Sequence, residues 1–191
     1  PIALAVGVVA GHLGGRVDAL LMRYVDVQTT VPAVLVYVIG IYVFGRSLLA
    51  FVLVFGLLSW GGVARQVRSE VRQLGESGFI RAARESGASD GRVLRRHVVP
   101  NVAGVVVTAT TQRIPEIVLF EAALSFLQLN DTGVRSWGYT ITTGFQLPHA
   151  FLDVWWISVI PVVCLGLTVV ALACLGDALR DAVDPTHDAV G

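Results

Sequence analysis

Lysine is absent from this sequence, and all 14 basic residues are arginine. A Gly-x-x-x-x-Gly-Lys-Ser/Thr loop, whose lysine reaches nucleotide phosphates, is therefore excluded, as are a Schiff-base lysine and a lysine general base. Cysteine is nearly absent as well. Cys164 and Cys174 are the only two, and both sit in one apolar run, where they read as small hydrophobic side chains rather than as a disulfide or metal ligands. Charge is scarce, at 15% of residues against about 25% in soluble domains. The formal net charge is zero, so nothing draws the chain to nucleic acid as a whole. His12, His97, His149 and His187 form no His-Glu-x-x-His pair, and no Gly-x-Ser-x-Gly occurs, which leaves an intramembrane enzyme without recognisable machinery. No metal site and no cofactor are expected. The chain starts at Pro1 and its one methionine is Met22; the expectation is that the natural N-terminus, and one or more spans before Pro1, are missing. No signal peptide can be read.

What the sequence has in abundance is apolar length. Hydrophobic residues make up 54% and the mean hydropathy is +0.71, so the chain is best counted in membrane spans of about 20 residues each. Residues 1–11 read as the end of a span. A turn follows at His12 to Asp18, around Gly11, Gly14 and Gly15. Residues 18–30 interrupt an apolar pattern with Asp18, Arg23 and Asp26, and suit either an interfacial helix or the polar entry of the next span. Pro32 then introduces a short span to Gly45, and Gly45-Arg46-Ser47 is a turn. Leu48 to Val67 is the clearest span, with Trp60 at its interface and Gly61-Gly62 suited to close helix packing. Leu152 to Leu175 is the last, with Trp155 and Trp156 as its interfacial belt. Residues 121–130 suit a re-entrant or interfacial helix, and residues 131–151, with Trp137, Gly138, Gly144 and Pro148, a turn-rich external loop.

Between two of these spans lies the one polar, Arg-rich stretch. From Arg65 to His97 there are eight arginines against Glu70, Glu76, Glu85 and Asp90. Arginine excess beside span ends marks the cytoplasmic side, and an ionised side chain at mid-bilayer costs at least ~2.5 kcal/mol. The stretch is therefore expected in the cytoplasm, as is the tail from Gly176. Within it, residues 77–86 have helix-forming composition. Gly87 and the Ser89-Asp90-Gly91 turn end that helix, and a second helix is expected from about Arg92.

Residues 98–120 form another span, opened by Pro100 and Asn101. Asn101, Thr108, Gln112 and Glu116 recur at steps of seven or four, and so fall near one helix face, with Arg113 beside it. At 1.5 Å rise per residue Arg113 lies roughly 22 Å beyond Val98. Two readings are open: an Arg113–Glu116 pair that snorkels to the outer interface, or a stripe facing a water-filled pathway.

Ala82-Ala83, then Gly87, then Val98-Val99-Pro100 resembles the EAA loop of bacterial and archaeal ABC importer permeases. Gly87-Ala88-Ser89-Asp90 with Arg96-His97-Val98-Val99-Pro100-Asn101 is similar, more narrowly, to the dipeptide/oligopeptide/nickel class. Further stretches resemble the second permease subunit of that class: Gly14-Gly15-Arg16-Val17-Asp18 through Leu21-Met22-Arg23, Ala123 to Leu127, Ser136-Trp137-Gly138, and Leu175 to Asp181 through Asp184-Pro185. The set runs in order along nearly the whole chain.

The resemblance implies an all-α, polytopic transmembrane helical bundle over residues 1–191, with about five of six spans present and a coupling loop at 65–97. It implies a non-catalytic permease subunit in the plasma membrane, forming half of an ATP-driven import pathway for peptides or related small solutes. The implied partners are a homologous permease subunit, two ATP-binding subunits and an extracytoplasmic binding protein, with the lipid bilayer around them and no nucleic acid. Coupling to the ATPase would run through the 77–90 loop by Arg81, Ala82, Ala83, Arg84, Gly87, Ala88 and Asp90. Thr108, Gln112, Arg113 and Glu116 are candidates for the translocation pathway. The chain departs from the family pattern at Arg81, where a glutamate is usual, and at Gln128 and Asn130, where glycines are expected. Arg113 and Glu116 stand where relatives are typically small and apolar. An ATP-independent channel or secondary transporter, with Arg113 and Glu116 carrying its function, is the alternative reading.

Overall fold

The computed structural model describes residues 1–129, 135–147 and 153–183. All regular structure among them is helical. The elements are α1 (Ile2–Leu13), α2 (Gly15–Thr30), α3 (Ala33–Phe44), α4 (Leu48–Leu58), α5 (Trp60–Gly75), α6 (Gly78–Glu85), α7 (Asp90–Val93), a π-helical turn (Leu94–Val98), α8 (Val99–Thr111), α9 (Ile114–Phe126), α10 (Trp137–Gln146) and α11 (Trp156–Val183). Among the described residues three helical stretches are long and apolar enough to cross a membrane: Leu49–Gly75, Asp90–Phe126 and Trp156–Ala182. The broken pair α2 and α3 makes a fourth if counted as one span, and α1 is a shorter apolar helix. The chain divides into two compact units, one built from residues 1–33 and 56–110, the other from 34–55 and 111–182.

In the first unit α1 lies parallel to α5, and glycine sets how close they come. A Cβ added at Gly7 would lie 2.6 Å from the Cβ of Val67, and one at Gly11 would lie 2.7 Å from the Cβ of Val71. Both contacts advance four residues on each helix, which is the small-xxx-small packing that lets two backbones approach. Around this seam Ala3, Val8, Val63, Ala64, Val67 and Val71 form a core that continues through Ile80, Val93, Val98, Val102 and Ala109. Helix α2 joins through buried Val25, the stacked Tyr24 and Trp60 rings, and a bond of 2.6 Å from Gln28 Nε2 to the Leu57 carbonyl.

The second unit is organised by aromatic contacts. Tyr37, Phe51, Phe55 and Phe120 meet edge-on, tilted or stacked, with ring centroids 5.3–6.0 Å apart, the separations at which aromatic pairs are favourable. Gly40 admits Val54 at the same seam. Helix α10 packs on α9 with Gly138 against the Ala122 backbone, and Thr142 Oγ1 donates to the Phe126 carbonyl at 2.5 Å.

Several boundaries differ from the sequence expectation, for local reasons. Gly14 (φ +61) alone separates α1 from α2, and Gly15 (φ +53) opens α2 with φ still positive, so the expected turn over His12 to Asp18 shrinks to two glycines in backbone conformations that favour them. The Leu48–Val67 span continues to Gly75, because Val67 and Val71 still have α1 to pack against. Residues 121–126 continue α9 rather than forming a separate helix, and residues 137–146 of the expected loop are helix α10. Gly138 and Gly144 read as turn signals, but they sit inside that helix, against Ala122 and Ser158, where a side chain would not fit. Asn130, His149, Leu152, Asp184-Pro185 and His187 lie outside the described residues.

Candidate functional site

The arginine-rich stretch folds as a short helix between two turns. Helix α5 ends in a tight corner where the Glu76 N–H donates to the Gln73 carbonyl, and the Ser77 N–H and Oγ both donate to the Leu74 carbonyl. Helix α6 then spans Gly78–Glu85, inside the expected 77–86. Its one buried residue is Ile80, which belongs to the core beneath, while Arg81, Ala82 and Arg84 are exposed and Ala83 is half-buried.

The end of α6 explains why Ala83, Gly87 and Ala88 stand where they do. The Gly87 N–H donates to the Arg84 carbonyl at 2.9 Å and the Ala88 N–H to the Ala83 carbonyl at 3.1 Å. These are the two bonds of a Schellman motif, which places Gly87 in the left-handed region, at φ +82. Ala83 and Ala88, both half-buried, occupy the two positions that commonly touch across such a turn. Ser89 then precedes α7, which begins at Asp90, two residues ahead of the expected Arg92. A carboxylate in that first turn suits the partial positive charge of a helix start.

The second arm is distorted at the expected entry to the next span. Leu94–Val98 is a π-helical turn that ends one residue short of Pro100. Proline lacks the amide that would serve residue 96, and its ring crowds that carbonyl; a widened turn accommodates both. Asn101 Nδ2 donates to the His97 carbonyl at 2.6 Å, supplying a partner in the same turn. The Phe79 and His97 rings, 6.2 Å apart, tie α6 to this arm.

The charges sort themselves within the loop. Arg84 Nε lies 3.6 Å from Asp90 Oδ1, so this cation has a carboxylate within the same loop. Arg81 is exposed and has no ion pair among the described residues. It is the open cation of α6.

Of the polar stripe, Asn101 and Thr108 turn back on their own helix. Thr108 Oγ1 bonds the Gly104 and Val105 carbonyls. Gln112 and Arg113 form a turn between α8 and α9, Gln112 and Glu116 are exposed, and Arg113 Nη1 lies 3.6 Å from Glu116 Oε2.

A second cluster had no counterpart in the sequence reading. Asp18, at the start of α2, is 5% exposed. Its two carboxylate oxygens accept from Nε and Nη2 of Arg68, and Oδ2 also accepts from Arg72 Nη2 at 2.5 Å. Asp18 reads in the sequence as an interruption of an apolar pattern, and Arg68 and Arg72 as part of an arginine excess. The one available signal is that the two arginines are four residues apart and so share a face of α5.

Residues 3–187 match the family described as "binding-protein-dependent transport system inner membrane component". The chain belongs to this family. It is 32% identical to the oligopeptide transport system permease protein OppC of Haemophilus influenzae over 94% of the chain and 57% of that protein. It is 33% identical to the dipeptide transport system permease protein DppC of Bacillus subtilis over 96% and 57%, and 34% identical to OppC of Escherichia coli K12 over 90% and 56%. The chain thus spans little more than half the length of these relatives. With the family and the apolar helices together, this is an all-α, multi-pass membrane protein.

Proposed function

We propose that this chain is a membrane-spanning permease subunit of an ATP-driven importer for peptides or related small solutes. It forms half of the translocation pathway and has no catalytic role of its own. Its partners are a homologous permease subunit, two ATP-binding subunits and an extracytoplasmic substrate-binding protein, with the 65–97 loop and the C-terminal tail on the cytoplasmic side of the plasma membrane.

The observation that carries this reading is α6. A helix of eight residues anchored by one buried side chain, with exposed Arg81 and Ala82 and a glycine turn at its end, is built to be gripped from outside. The small Ala82 allows close approach by a partner groove, and Arg81, without a carboxylate partner among the described residues, favours an acidic residue there in compensation for the reversed charge. Ala83, Gly87 and Ala88 shape the end of the helix, and Asp90 holds Arg84.

Gly87→Trp and Ala83→Asp test the loop: each is expected to abolish ATPase association or ATP-driven uptake with the protein still inserted. Normal uptake in both variants overturns the assignment.

Thr108, Gln112, Arg113 and Glu116 are assigned to the pathway on the exposure of Gln112 and Glu116. A charged side chain 68% exposed on a membrane-crossing stretch is too costly to face hydrocarbon, so water or a partner meets it. With Cys164 and Cys174 replaced, Gln112→Cys is expected to react with a small polar thiol reagent in one nucleotide state; a cysteine inert in every state returns these residues to packing. The same Arg113 and Glu116 would serve an ATP-independent channel or secondary transporter. Solute uptake by reconstituted vesicles that proceeds equally without ATP decides for that second reading.

A further inference from the structure

We propose that the Asp18–Arg68–Arg72 cluster is the link through which movement of α6 reaches the α1–α2 pair, a positioning role that rests on the coupling-loop reading above. The geometry is directional. Arg68 grips both oxygens of Asp18 with a planar fork, and Arg72, one turn further along α5, adds a third bond to the same carboxylate. A fork-to-carboxylate contact is lost on a small displacement, so it fixes the register of α2 on α5 at the end of α5 nearest α6.

Its place in the chain gives that stiffness a use. Arg72 precedes the start of α6 by six residues, through the hydrogen-bonded corner at Glu76 and Ser77. Between α6 and the end of α1 there is a cavity of about 310 Å³, bordered by Gly11, His12, Arg72, Glu76, Ile80 and Arg84. Helix α6 meets this part of the molecule across a groove and through Ile80, and a pull on it travels along α5 to the clamp. Stability alone does not call for the arrangement, since apolar side chains of similar volume commonly replace buried ion pairs without loss.

That last point supplies the test. In the full complex reconstituted in vesicles, the triple variant Asp18→Leu with Arg68→Met and Arg72→Met is compared with the unsubstituted chain for ATP hydrolysed per solute taken up. The expected result is retained assembly and hydrolysis with most uptake lost, so the ratio rises several-fold. Asp18→Glu, which keeps the charge, is expected to retain coupled uptake where Asp18→Asn does not. Separately, spin labels at Leu20 on α2 and Glu85 on α6, both exposed, are placed in the chain alone in lipid with Cys164 and Cys174 replaced. The distance distribution is expected to be narrow with the clamp and broad in Asp18→Asn.

Unchanged ratios and distances in the variants, or Asp18→Glu as uncoupled as Asp18→Asn, overturn the clamp while leaving the importer reading in place. Uptake by the unsubstituted complex that needs no ATP overturns the importer reading, and this link with it.

Discussion

The loop between α5 and α8 and the segment from Arg113 to Leu129 use the same two devices under different conditions. Each has a helix ending in a Schellman turn. At the end of α6 the left-handed residue is Gly87; at the end of α9 it is Gln128, at φ +58, with the Gln128 N–H on the Ser125 carbonyl and the Leu129 N–H on the Leu124 carbonyl. Each region has an open guanidinium–carboxylate contact of 3.6 Å, Arg84–Asp90 in the loop and Arg113–Glu116 in the segment, and the loop also has a buried carboxylate beside it on α2. Asp18 is buried under two arginines, whereas Arg113 and Glu116 are 3.6 Å apart with side chains 35% and 68% exposed. The first region fixes its geometry with residues that suit it. The second reaches the same backbone form with a residue that does not. On the reading proposed above, this is how a segment that must hold its shape while pulled would differ from one that faces a pathway or a partner.

The sharpest way to break this comparison is to remove the buried carboxylate. Asp18→Asn strands two guanidinium groups, and the expected loss is about 2–4 kcal/mol in unfolding measured in detergent. It falls short of the full cost of a wholly buried charge because Arg68 and Arg72 are 28% and 44% exposed. A loss no larger than that of an ordinary surface substitution would place the two ion pairs in one class.

How much of this was legible beforehand follows from how local each interaction is. The long apolar runs at 48–67 and 98–120 announced their helices, since bilayer thickness dictates length. The α6 end was legible because a Schellman turn is written within six residues, from Ala83 to Ala88. The Asp18 clamp was not, because its partners lie 50 and 54 residues away and nothing in the spacing of arginines names the carboxylate they hold. Gly138 and Gly144 misled for a related reason. A glycine that breaks a helix and a glycine that admits a neighbouring helix look identical in sequence, and only the presence of Ala122 and Ser158 tells them apart.

A reciprocal exchange sharpens the comparison at the helix ends. A side chain in the left-handed region costs roughly 1–2 kcal/mol relative to its usual backbone. Gln128→Gly is therefore expected to stabilise the protein by about 1 kcal/mol, and Gly87→Gln to destabilise it by about the same amount. Thermal melting of the two variants in one detergent reads both signs. Equal signs would mean that one of the two turns is held by something other than its backbone bonds.

The smallest effects are expected at Arg113 and Glu116, and they bear most directly on the exposed half of the comparison. An ion pair open on both sides is worth about 0–1 kcal/mol, because water solvates each charge nearly as well as its partner does. Arg113→Ala and Glu116→Gln should each change stability by no more than about 0.5 kcal/mol, with a coupling in the double variant of similar size or less. The number decides what surrounds the pair. Hydrocarbon would make the two charges depend on each other strongly, and a coupling above about 1.5 kcal/mol would show it. A small coupling places water or a polar partner beside residues on a stretch long and apolar enough to cross the bilayer, which is the condition a pathway-lining residue has to meet.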